Sequence, residues 1–130
     1  MIKILVADDS KTTRTLWVRI IQQMGLVVIQ ASDGAQALRI LDDNPDISLL
    51  VTDIEMPNMD GTELIKRVRT HSEYENLPII VISGVIKLAD IDGLLDIGAS
   101  RFLPKPLKKS DLKEYIKVLL SPDYQKMRKS

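Results

Sequence analysis

The sequence predicts an α/β fold: a doubly wound parallel sheet of five strands with helices on both faces. Three observations predict it. Five short aliphatic runs alternate with five helical patterns over about the first 120 residues, the rhythm of strand–helix crossovers. The strand runs are apolar and too short for helices, as strands covered on both faces require. With 130 residues, 45% of them hydrophobic, and no cysteine, the chain can bury a core without a disulfide or thiolate–metal staple.

Residues 2–7 form the first strand. Residues 11–24 follow with Leu16, Trp17, Ile20, Ile21 and Met24 on one helical face, and Gly25 stops them. Val27–Ala31 is the second strand. Asp33-Gly34 reads as a turn, and Ala35, Leu38 and Leu41 mark a short helix that ends before Pro45. Ile47–Thr52 is the third strand, and residues 53–61 form a loop containing Pro57. Leu64, Ile65 and Val68 stripe the third helix. Residues 78–82 form the fourth strand, and residues 86–97, with Leu88, Ile91, Leu95 and Ile97, the fourth helix. Residues 101–103 are a short fifth strand. Leu112, Tyr115, Ile116, Leu119 and Leu120 form the clearest amphipathic stripe, closed by Pro122. The domain is expected over residues 1–120, with residues 121–130 a polar, basic tail or the start of a linker. Strands one, three and four are the most aliphatic and are expected in the centre. The fifth is the shortest and is expected at an edge; the place of the second stays open.

Composition excludes several classes. Lys+Arg and Asp+Glu are 18 each, so the chain lacks the basic excess of a general nucleic-acid binder. The balance is +5 over residues 104–130 and −5 over the remainder, read here as a solvated basic helix and tail. No apolar run is long enough to span a membrane, and Asp8-Asp9 interrupts the N-terminus too early for a signal peptide, so a cytoplasmic location is expected. His71 is the single histidine, which excludes a histidine-based metal site. The methionines are read as core filler, and Trp17 as partly packed on the first helix.

In a parallel sheet every strand's C-terminal end lies on one rim, where ligands bind. Asp8 and Asp9 follow the first strand, Asp53 the third, Ser83 and Gly84 the fourth, and Lys105 and Pro106 the fifth. The second strand ends in Ala31-Ser32-Asp33 and adds nothing comparable. Carboxylates gathered this way repel by roughly 4 kcal/mol per pair at ~4 Å and an effective dielectric near 20, so a positive partner must sit among them. A hard divalent cation with oxygen ligands fits, and Mg2+ suits a site with few carboxylates and room for phosphate oxygens. A carboxylate beside Mg2+, a lysine and a hydroxyl is equipped to attack phosphorus and form an aspartyl phosphate.

The set Asp8-Asp9, Asp53, Ser83 and Lys105-Pro106 resembles the receiver domain of two-component response regulators, on the chemotaxis side of that family. The surrounding strings Ile4-Leu5-Val6-Ala7-Asp8-Asp9-Ser10, Asp53-Ile54-Glu55-Met56-Pro57-Asn58-Met59-Asp60-Gly61 and Gly98-Ala99 are similar to it as well. The resemblance implies a flavodoxin-like sheet in the order 2-1-3-4-5 with five helices. It implies Asp53 as phosphoacceptor, with Asp8, Asp9, Asp53 and the backbone carbonyl of Glu55 around Mg2+, Asp9 more directly than Asp8. Ser83 would donate its hydroxyl to the phosphoryl group, Lys105 would pair with it, and the Lys105–Pro106 bond is expected to be cis. Ser83 and Phe102 stand at the family's switch positions. The implied partners are a histidine kinase or phosphotransfer protein, and a downstream target or output domain on the surface of the fourth helix, fifth strand and fifth helix. Homodimerisation on phosphorylation is left open; direct contact with nucleic acid or membrane is not expected. The domain would be no enzyme beyond its own phosphorylation and dephosphorylation.

Two other readings stay beside this one. A pseudo-receiver would keep the fold and bind a partner without cycling phosphate. A haloacid-dehalogenase-like phosphatase is suggested by Asn58-Met59-Asp60-Gly61-Thr62, with Asp60 essential, but Asn58 stands where the nucleophile should be. No Walker or dinucleotide glycine pattern is present.

Overall fold

A computed structural model describes residues 2–84 and 88–129. The elements run β1 (Lys3–Ala7), α1 (Lys11–Gln22), β2 (Val27–Ala31), α2 (Gly34–Asp43), β3 (Ile47–Thr52), α3 (Gly61–Thr70), a 3-10 turn (Ser72–Tyr74), β4 (Ile79–Ser83), α4 (Leu88–Asp96), β5 (Arg101–Pro104), α5 (Lys109–Leu120) and α6 (Pro122–Lys129). All strand pairs are parallel, in the order β2-β1-β3-β4-β5. The expected order holds, and β2 is the second edge.

One expectation is corrected. Among the described residues there are six helices rather than five, because residues 122–129 form α6. Its start is capped by Ser121, whose hydroxyl accepts from the Tyr124 N–H at 3.2 Å. Pro122 occupies the first helical position, where its missing N–H and fixed φ favour a new helix after closing the previous one. Periodicity missed α6 because its sequence is polar; its visible anchor is Tyr124, which packs on the core and lies 5.7 Å from the Arg101 guanidinium. Residues 86 and 87 of the expected fourth helix lie outside the described residues.

Two apolar layers flank the sheet. Leu5, Ala7, Leu50, Ile79 and Val81 face Ala37 and Leu41 of α2, Leu64, Ile65 and Val68 of α3 and Leu94 of α4. Ile4, Val6, Leu49, Val51, Ile80 and Ile82 face Trp17, Val18, Ile20 and Ile21 of α1 and Leu112, Ile116 and Leu119 of α5. The period-two alternation thus divides each strand between two cores, which is why the strands read as unbroken apolar runs.

Candidate functional site

The sheet register sets the site. Ala7 of β1 pairs with Ala31 of β2 and Thr52 of β3, so β1 and β3 end level. The ladder then continues one residue further. The Asp8 N–H donates to the Ala31 carbonyl at 3.1 Å, Asp53 N–H to Ala7 at 3.0 Å, and Lys105 N–H to Ser83 at 3.2 Å. Asp8, Asp53, Ser83 and Lys105 therefore have their backbones held by a neighbouring strand.

Asp8, Asp53 and Ser83 are buried at this rim. Lys105 Nζ donates to Asp53 Oδ2 at 2.7 Å, joining the ends of β5 and β3. Asp53 Oδ1 accepts from the Ile54 N–H at 2.6 Å and more weakly from Glu55 N–H at 3.4 Å. Asp8 Oδ1 accepts from the Ser10 N–H at 3.0 Å, while Arg14 Nη1 donates to the Asp8 carbonyl at 2.6 Å. Asp8 Oδ2 is buried with no hydrogen-bond partner. Burial pushes the Asp8 carboxyl up to about 6, against the lowering bond from Ser10; the Asp53 charge and the adjacent Asp9 side chain raise it further, and Lys105 lowers it. Asp53, Asp9 and Lys105 thus all lie within electrostatic reach of Asp8. Asp9 is exposed and lines a 460 Å³ cleft with Ile54, Glu55, Met56, Pro57 and Asp60.

The residues fit a hard cation. An orphaned, buried carboxylate oxygen costs free energy unless a positive partner meets it. Among the described residues no three acidic or imidazole groups close into a cage by themselves. The Asp8, Asp9 and Asp53 carboxylates at this rim are nonetheless the hard oxygen donors that Mg2+ takes, and Mg2+ keeps further positions for water and phosphate.

The loop carrying Glu55 is held by contacts that a linear reading does not show. Gly61 approaches so closely that a Cβ there would lie 2.2 Å from the Asp53 carbonyl oxygen; at Gly34 it would lie 2.4 Å from the Met59 carbonyl oxygen. Asn58 adopts φ 66°, and its side-chain amide donates to Asp33 Oδ2 at 2.8 Å. Asp33 is also the N-cap of α2, accepting from the Gln36 N–H at 2.7 Å, and these two bonds hold its carboxyl below the usual range. Asp33 therefore contributes to the rim after all, as a clamp on the β3–α3 loop; an Asp-Gly ahead of a helical stripe was its available signal. Asp60 caps α3 through the Glu63 N–H at 2.9 Å.

The remaining expectations are located as follows. Ser83 ends β4 beside Pro104. The Lys105–Pro106 bond is cis. Phe102 on β5 is half-buried against the α2–α3–α4 layer. Trp17 departs from its reading: it is buried, and its ring lies 5.5 Å from Lys105 Nζ.

Residues 4–117 match the response regulator receiver domain family. The chemotaxis protein CheY1 of Helicobacter pylori is 36% identical over 119 residues, covering 91% of this chain and 96% of its own. The structure of chemotaxis protein CheY4 of Vibrio cholerae superposes with TM-score 0.85 at 29% identity, over 92% of this chain and 99% of that one. A chain in the CheX–CheY–BeF3–Mg2+ complex of Borrelia burgdorferi superposes with TM-score 0.86 at 27% identity, over 92% and 90%. No helix among the described residues is long and apolar enough to cross a membrane.

Proposed function

The chain belongs to the response regulator receiver domain family, resembling its chemotaxis members, and on that premise we propose that it is a phosphoacceptor whose acceptor atom is on Asp53. The observation that carries this reading is the 2.7 Å contact between Lys105 Nζ and Asp53 Oδ2 beside the orphaned Asp8 Oδ2. One ammonium, and one buried carboxylate oxygen that a cation would meet, are what a carboxylate needs to receive a dianionic group.

The donor is a phosphohistidine of a histidine kinase or phosphotransfer protein. An Asp53 carboxylate oxygen forms the new O–P bond, the P–N bond breaks, and the imidazole leaves with its electron pair and takes a proton. Asp8, Asp9, Asp53 and the Glu55 carbonyl would hold Mg2+, which when bound supplies positive charge to the transferred oxygens. The backbone N–H groups of Ile54 and Glu55 orient the carboxylate. Lys105 exchanges its bond to Asp53 for one to a phosphoryl oxygen, and Ser83 donates its hydroxyl to another. Drawing Ser83 inward makes room for Phe102 and alters the α4–β5–α5 surface, where a downstream target, an output domain or a second copy is recognised. The domain removes its own phosphoryl group slowly by the same residues. The Borrelia complex, which pairs a CheY with CheX, BeF3 and Mg2+, supports both the ligand chemistry and the partner-binding role. A phosphatase centred on Asp60 has no support, since that carboxylate caps α3, and no observation favours a pseudo-receiver.

Acetyl phosphate with Mg2+ should add one phosphoryl group, about 80 Da by intact mass, and Asp53→Asn should abolish the gain. An equal gain in Asp53→Asn overturns the assignment.

A further inference from the structure

The ammonium of Lys105 has two neighbours. Asp53 Oδ2 is 2.7 Å from Nζ on one side. The indole of Trp17 is on another, its ring centre 5.5 Å away. Trp17 belongs to α1 and is 1% exposed, so water does not solvate its ring. A cation within about 6 Å of an indole face is attracted by the ring quadrupole, and tryptophan attracts more strongly than tyrosine or phenylalanine.

We propose that Trp17 is a positioning residue for Lys105, an inference that rests on the phosphoacceptor reading. Lysine is a point charge on a flexible four-carbon stem, so one ion pair does not hold it in place. That pair also weakens in the reaction, because the Asp53 oxygen gives up its charge on forming the acyl phosphate. The indole is unchanged by the transfer. It keeps the ammonium over the site, excludes water behind it, and carries no formal charge to compete with the incoming phosphoryl oxygens. The ammonium then needs only to pivot above the ring, from carboxylate to phosphate. An aliphatic residue could fill the same layer between α1 and α5, but it could not attract the cation.

The test uses the full chain. In a 13C–1H spectrum of the metal-free protein, the Lys105 ε-methylene signal is identified by its loss in Lys105→Arg. It should lie upfield of the other lysines through the indole ring current, move part of the way back in Trp17→Phe, and join them in Trp17→Leu. The initial rate of phosphoryl uptake from acetyl phosphate at saturating Mg2+ should fall about fivefold in Trp17→Leu. Trp17→Phe should recover most of that loss, and Mg2+ affinity by calorimetry should stay within about twofold throughout. An unshifted Lys105 signal in the wild type overturns the proposal, as does a wild-type rate in Trp17→Leu or an equal loss of Mg2+ affinity and rate. Should Trp17→Leu not fold, the wild-type and Trp17→Phe spectra decide. Absence of phosphoryl uptake by the wild type defeats the phosphoacceptor reading instead, while the ε-methylene shift still decides whether the indole holds the ammonium.

Discussion

The two ends of the sheet are built on opposite terms. Where the strands begin, polar groups close on one another. The buried Tyr74 hydroxyl donates to the Leu41 carbonyl. Arg69 forks onto the Gly98 carbonyl at 3.1 and 2.7 Å and reaches the Tyr74 carbonyl at 2.8 Å. Ser100 Oγ accepts from the Ile79 N–H at 3.0 Å, and Lys3 meets Asp46 at 2.7 Å. Where the strands stop, Asp8 Oδ2 is buried without a partner, and Asn58 is held in the left-handed region. An unsatisfied buried polar group costs roughly 1–3 kcal/mol. The first end therefore adds to stability, and the second subtracts from it to leave an anionic oxygen for a cation. A single sheet separates these tasks because its ends share no side chains.

The largest way to break the contrast is at the closed end. Tyr74→Ala removes a buried ring and leaves the Leu41 carbonyl without its donor, and should cost about 3–5 kcal/mol in urea unfolding while phosphoryl uptake by the folded fraction is kept. Loss of uptake without loss of stability would show that the two ends are not independent.

At the open end the sign reverses. Because the folded-state carboxyl of Asp8 stands at about 6 against 3.8, the metal-free protein is favoured by the protonated form. That contribution is full below 3.8, lost as pH rises through about 6, and absent above it. Asp8→Asn should accordingly stabilise the metal-free protein at neutral pH by up to about 3 kcal/mol, with the gain vanishing toward low pH. Mg2+ should stabilise the wild type and not the variant. A difference between the two that does not change with pH would defeat this account of the open end.

The smallest effect sharpens the contrast. Asp33→Ala removes the α2 cap and the Asn58 bond together and should cost about 1 kcal/mol by thermal unfolding. A cost near zero would mean that the β3–α3 loop holds its form without the clamp.

The sequence announced most of this arrangement. Aliphatic runs such as Ile47–Thr52 and the stripe Leu112–Ile116–Leu119 carry their own period, and Asp8, Asp53, Ser83 and Lys105 each end or follow a strand. Their meeting on one rim then follows from parallel topology alone. Less legible were residues whose task is set by a neighbour distant in the chain. α6 does not show in the sequence because its residues are mostly polar and its anchor is an arginine on β5. Asp33 reads in the sequence only as a turn residue because its partner Asn58 lies in another loop.

What the sequence determined by itself is periodic or positional: strands, helices, and which side chains stand at strand ends. Local steric and hydrophobic preferences act over a few residues, so a linear string can display them. Tertiary structure alone decided that Trp17 lies against Lys105, that Asp8 Oδ2 is left without a donor, and that Asp33 clamps Asn58. Such facts depend on distances of a few ångströms between groups far apart in the chain. Close packing of both layers sets those distances, and no single segment contains that information.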